Sequence, residues 1–114
     1  MQQITTPSTT GSPAGKPLWM HTATELAAAI RNGDITSEQA VEAHIGRIEA
    51  VDAQLNSVVV RRFEQARAEA KQADARRRLG GILGALHGVP VTVKECLDLA
   101  GTPSTTGIAA LAGV

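Results

Sequence analysis

The sequence predicts an α/β unit in which helices come first and a strand follows. Three observations carry this: two capping-box spacings that each open a helical apolar pattern, a charged segment with alanines along one face, and a glycine-broken stretch ending in alternating valines.

Thr22 and Glu25 stand three residues apart, the spacing at which a threonine hydroxyl and a glutamate carboxylate satisfy each other's orphan backbone N–H groups. The apolar Leu26, Ala27, Ala29 and Ile30 follow, and Asn32-Gly33 supplies the stop, which predicts a helix over about Ala23 to Asn32. Thr36 and Gln39 repeat the signal. Val41, Ile45, Ile48, Val51 and Leu55 then recur at helical intervals with charged residues between them, predicting an amphipathic helix from about Ser37 to Asp52. Ser57 to Val60 is a β-branched run too short to separate strand from extended link. From Arg62 to Arg78, Phe63, Ala66, Ala70 and Ala73 fall on one face, while Glu64, Arg67, Glu69, Lys71 and Asp74 fill the others. That predicts a third helix. The arginines Arg76 to Arg78 at its end complement the helix dipole, a reading preferred over a phosphate or acidic-partner site.

Gly80, Gly81, Gly84 and Gly88 break the chain into a loop. Val89, Val91 and Val93 then alternate with Pro90, Thr92 and Lys94, and period two predicts a strand. Pro90 lacks a ladder donor and belongs at the strand's start or on an edge. Thr92 and Lys94 share the face opposite the valines, and Lys94 arrives at the C-terminal end, where open α/β sheets place their chemistry. A Gly, Pro, Ser and Thr loop, Gly101 to Gly107, leads to a short helical stretch at Ile108 to Leu111.

Composition narrows the function classes. Among 114 residues, eleven basic side chains balance eleven acidic ones, so no electrostatic footprint for nucleic acid or an anionic membrane surface is present. No apolar run approaches the roughly 20 residues that cross a bilayer. A single cysteine, Cys96, forms no internal disulfide, and no Cys and His have metal-ligand spacing, so neither metal nor other cofactor is expected and a reducing, cytoplasmic setting is. Residues 1–17, rich in Thr, Ser, Pro and Gly, are expected to be a disordered tail without the features of a secretory signal. Two aromatics, Trp19 and Phe63, are few for a self-sufficient core, which suggests a part of something larger.

Several constellations fail as sites. Gly11 to Lys16 superficially has a phosphate-loop spacing but is one residue short, with Pro17 where Ser or Thr is needed. His87 and Cys96 lack an activating helix terminus or orienting group, and a free cysteine is more often a small apolar side chain. His21 and His44 are lone histidines, which are more often structural than ligating.

The segment Leu86-His87-Gly88-Val89-Pro90-Val91-Thr92-Val93-Lys94-Glu95, with Gly101 and Thr105-Thr106-Gly107 beyond it, resembles the amidase-signature family's strand and Val-Lys-acid motif with its Thr-Thr-Gly loop. Upstream, Glu25-Leu26, Gly33 with Ile35-Thr36-Ser37, Arg47-Ile48, Leu55-Asn56 and Ala73-Asp74 are similar to that family's opening helices. The resemblance implies a mixed sheet covered by helices on both sides. Residues 18–114 would then be the N-terminal portion of an amidase domain, contributing outer helices and the first strand. It also implies a hydrolase of carboxamide C–N bonds that uses a Ser, cis-Ser, Lys mechanism on a small-molecule amide, with Lys94 at the position of the family's lysine. A lysine acts as a base only when neutral, and burial disfavours its charged form. The neutral amine draws the nucleophilic serine's proton through a bridging serine, a variant of triad logic.

Ser8, Ser12, Ser37, Ser57 and Ser104 lie in the tail, a helix cap, a link and a loop, and none sits in a Gly-Ser-Ser-Gly setting. The chain is therefore expected to hold the base without its serines and to be inactive alone. Glu95 and Ile108 stand where many members have aspartate and serine, and Lys94-Glu95-Cys96 is more similar to stand-alone amidases than to the tRNA-dependent amidotransferase. The alternatives are a piece of the A subunit of a glutamyl-tRNA amidotransferase or a non-catalytic truncated helical module.

Overall fold

The computed structural model describes residues 15–113, and residues 1–14 of the expected tail lie outside them. A 3-10 turn at Leu18–Met20 precedes three helices, α1 (Ala23–Asn32), α2 (Ser37–Leu55) and α3 (Phe63–Leu79), and a second 3-10 turn occupies Ala109–Leu111.

Both capping boxes form. Glu25 N donates to Thr22 Oγ1 at 3.1 Å while Thr22 N donates to Glu25 Oε1 at 2.8 Å, and Gln39 N to Thr36 Oγ1 at 3.0 Å is matched by Thr36 N to Gln39 Oε1 at 2.9 Å. Helix α1 stops at Gly33, whose φ of 83° is readily open only to glycine. Helix α2 runs on to Leu55, three residues past the expected end at Asp52, and stops at Asn56 in the left-handed region. Asp52 explains the extension. Instead of ending the helix it folds back over the exit, where Oδ1 accepts from Ser57 N at 2.7 Å and Ser57 Oγ at 2.6 Å.

The core has two lobes. Leu18, Leu26, Ala29, Ile30, Ile35 and Ala40 bury together with Val89 packed on them, and Val41 and Ile45 of α2 bury against Ala70, Phe63 and Ala66 of α3. The alanine face of α3 thus does what its pattern indicates. Small side chains let two helices approach closely, and ridges of α2 fill the space.

Asp74 departs from the expected solvated position. It is buried, and its carboxylate accepts from Ser37 N at 2.7 Å and Glu38 N at 3.1 Å, so α3 caps the N-terminus of α2. The arginines closing α3 do serve backbone carbonyls: Arg76 reaches Gly80 O at 2.6 Å and Ile82 O at 3.3 Å, and Arg77 reaches Arg31 O at 3.4 Å.

The strand expected over Val89 to Lys94 does not form. Among the described residues no strand is paired, and this stretch is irregular coil. Val89 is half-buried on the core, but Val91 is 74% and Val93 47% exposed. Alternation sets which residues share a face, whereas a strand also needs a neighbour to take its N–H and C=O groups, and none of the described residues supplies one. The regular structure among the described residues is helical, and the wider α/β reading rests on kinship alone.

Candidate active site

Lys94 sits on a length of chain tied to the helices upstream and to the Thr105–Gly107 loop downstream. At the upstream end, His87 Nε2 donates to Ala73 O of α3 at 2.8 Å, which places the proton on that nitrogen because a carbonyl only accepts. Ser37 Oγ, at the first residue of α2, donates to Gly88 O at 2.6 Å. Gly88 has φ +80°, and a Cβ there would lie 3.1 Å from Ser37 Cβ and 3.3 Å from Ile30 Cγ2, so the position demands glycine on two counts. The approach of this backbone to the helices is thus set by the same α2 terminus that Asp74 caps.

At the downstream end Glu95 is the anchor. Its Oε2 accepts from Thr105 Oγ1 at 2.6 Å and Thr105 N at 2.5 Å, and its Oε1 accepts from Thr106 N at 2.8 Å. These donors, the Thr105 hydroxyl first, hold the carboxyl below the usual glutamate range. Thr106 takes a φ of 50° and Gly107 one of 80°, so the loop turns through two successive residues with left-handed φ. Gly107 N then donates to Thr105 Oγ1 at 3.2 Å, which closes the turn.

Between the anchors, Leu97 N to Lys94 O at 3.0 Å makes a tight turn at the lysine. The Lys94 side chain is exposed, and its Nζ lies 3.1 Å from Cys96 Sγ, also exposed. Burial of the amine, expected of a general base, is therefore provided by none of the described residues. Neither of two surface cavities, about 650 Å³ beside Arg31 and Arg77 and about 390 Å³ between α2 and α3, is lined by Lys94.

The other candidates are engaged elsewhere. His87 serves Ala73 and Cys96 faces Lys94, so they form no dyad. His44 Nδ1 donates to Ala40 O at 2.6 Å within α2, and His21 Nε2 lies 3.2 Å from Lys16 O. Ser37 and Ser57 are bound to Gly88 and Asp52, which leaves neither hydroxyl free as a nucleophile. Among the described residues no group of three or more His, Cys, Asp or Glu could hold a metal, and no helix is long and apolar enough to cross a membrane. Sequence reasoning missed the role of Glu95 as a clamp. The signal was available in the pairing of an acid beside the lysine with a Thr-Thr-Gly turn ten residues on, because such a turn presents successive N–H groups that an anion can bridge.

The class of protein follows from a match of residues 39–114, Lys94 included, to the model of the Amidase family, and the chain belongs to that family. It is similar to an indoleacetamide hydrolase of Bradyrhizobium diazoefficiens, with 47% identity over 94 residues that make up 82% of this chain and 18% of that protein. The A subunit of a glutamyl-tRNA(Gln) amidotransferase from Streptomyces coelicolor is 41% identical over 81% of this chain and 18% of its own length. An acylamidase of Rhodococcus erythropolis is 34% identical over 82% of this chain and 20% of its own. The chain thus spans about a fifth of the relatives it matches.

Proposed function

We propose that the complete enzyme carrying this segment hydrolyses carboxamide C–N bonds of small molecules, with Lys94 as general base in a Ser/cis-Ser/Lys mechanism. The observation that carries this is the family match through residues 39–114, within which Lys94 occupies a turn fixed by anchors on either side. Two of the relatives are named for hydrolysis of amides, the indoleacetamide hydrolase and the acylamidase, which supports a hydrolase over a transferase. The A subunit of an amidotransferase is the second reading, favoured by the 41% identity to such a protein.

In the proposed mechanism the nucleophilic and bridging serines come from the rest of the enzyme. That remainder also completes a mixed α/β/α sheet in which Val89 to Lys94 becomes a strand, and it covers the exposed valines and the lysine. Burial there lowers the amine's affinity for its proton, so Lys94 can accept the one released when serine attacks the amide carbonyl. The departing amine takes the proton back, and water clears the acyl group. Residues 15–113 alone hold the base without those serines and are proposed to be inactive. One exposed thiol accords with a reducing, cytoplasmic setting.

Turnover of aliphatic and aryl amides by the complete enzyme, compared with its Lys94→Arg variant, tests this. Guanidinium keeps the charge and never surrenders its proton, so kcat should fall on the order of 10² to 10⁴-fold. Lys71→Arg, on the exposed side of α3, should change little. Near-normal turnover in a folded Lys94→Arg enzyme would remove the lysine from the mechanism.

A further inference from the structure

Glu95 lies next to the candidate base in the chain, yet its carboxylate is turned wholly to the Thr105–Gly107 loop. Three donors converge on its two oxygens, with Thr105 N and Oγ1 on Oε2 and Thr106 N on Oε1. The sequence separations are 10 and 11 residues, so the carboxylate closes a loop over residues 95 to 106. Without it, two backbone N–H groups and a hydroxyl in this loop lose their acceptor.

We propose that Glu95 is a positioning residue for Lys94. It bolts the Thr105-Thr106-Gly107 loop to the lysine's turn and so sets the direction in which Lys94 Nζ is presented. The inference rests on the proposed role of Lys94 and adds to it a residue that touches neither substrate nor serine. The physical reason is leverage. The Lys94 turn is held against the helices on its upstream side, through His87, Gly88 and Val89, five to seven residues away. A flexible chain of that length does not hold an amine within the few tenths of an ångström that proton transfer demands. A cross-link immediately after the lysine shortens the free length on its downstream side. Lys94 and Glu95 are adjacent, so holding the Glu95 carboxylate limits where the single peptide plane that joins it to the lysine backbone can lie.

The chemistry of the clamp is selective. Both carboxylate oxygens act as acceptors, whereas a glutamine offers one acceptor and one donor. Glu95→Gln can therefore serve Thr105 or Thr106 but not both, and its NH₂ group would face an N–H. Glu95→Asp retains two acceptor oxygens on a shorter stem and should restore the clamp after a small shift of the loop.

Two measurements on the complete enzyme test this, with thermal unfolding used to confirm that each variant folds. The first is hydrogen–deuterium exchange over residues 105–107. Exchange should quicken at least several-fold in Glu95→Gln and stay near the wild-type rate in Glu95→Asp. Unchanged exchange in Glu95→Gln means that the clamp does not exist and overturns the proposal. The second is steady-state amide hydrolysis. Loss of alignment should lower kcat on the order of 10²-fold in Glu95→Gln with KM little altered, because the substrate's own contacts are untouched, and Glu95→Asp should recover most of it. A loosened loop with normal kcat also overturns the proposal, because the clamp would then be structural only. The two readings separate cleanly: Lys94→Arg with full turnover sinks the catalytic lysine, whereas Glu95→Gln with full turnover beside an inactive Lys94→Arg sinks only the clamp.

Discussion

Ile30 of α1 is 1% exposed while Val91, also apolar and beyond the Gly88 contact, is 74% exposed. The difference separates two regions that the same chain builds by different means. In the helical part the backbone ladder of each element closes within a few residues, and the apolar faces, together with the α2 terminus that Asp74 caps, find their partners among neighbouring elements. In the part from Val89 onward the backbone has no internal ladder. It is held at points, by Ser37 and His87 on one side and Glu95 on the other, and its later valines stay in solvent. Helices are self-sufficient in hydrogen bonding and strands are not, so a region of helices can assemble from nearby sequence when a strand cannot.

Cutting an apolar side chain from each region puts the contrast under the greatest strain. Ile30→Ala should cost about 2–5 kcal/mol, through lost transfer energy and the cavity left in a packed site. Val91→Ala in the same 114-residue chain should stay within about 0.5 kcal/mol, as expected of an exposed position. Chemical denaturation followed by helical circular dichroism measures both. Equal losses would mean that the valine segment is packed after all and that the two regions are one.

A smaller effect concerns how the helical region joins its elements. Asp74→Ala removes the acceptor for Ser37 N and Glu38 N and leaves the first of these buried. A loss of about 1.5–3 kcal/mol is expected, since each bond is to a charged group and the orphaned N–H is shut away from solvent. Asp74→Asn, which keeps one acceptor, should lose less. If alanine and asparagine were both neutral, α2 would be shown to need no cap from α3.

The smallest effect is confined to acid. Asp52 is held at about 2, below its usual 3.8, chiefly by the Ser57 hydroxyl and then by the Ser57 and Val58 amides. A depressed folded-state value means that the contribution is complete above 3.8 and drains away as the pH falls toward 2. Stability measured across that window should decline less steeply in Asp52→Asn than in the native chain. Parallel profiles would place the acid sensitivity in other carboxylates, such as Glu95, whose protonation would loosen the region after Val89 instead.

How much of this was legible beforehand depends on how far apart the partners lie. The helix starts at Thr22 and Thr36 were readable because a capping box is complete within four residues. The alanine face of α3 was readable because its period is its packing instruction. The Lys94 motif was readable as kinship, but its exposure was not, because burial is a property of what surrounds a residue rather than of the residue itself. The valine alternation overreached in making a strand of a stretch that has no partner to pair with among the described residues.

By itself, then, the sequence determined where helices begin, which faces are apolar, and that the chain resembles its family around Lys94, because each of these depends on side chains a few positions apart. The tertiary structure alone decided that Asp74 caps a helix 37 residues upstream and that Ser37 holds the Gly88 carbonyl 51 residues on. It likewise decided that Glu95 clasps the Thr-Thr-Gly loop rather than reaching toward solvent. A polar side chain has many partners of suitable chemistry along a sequence, and only the packing of the apolar faces brings one of them within about 3 Å.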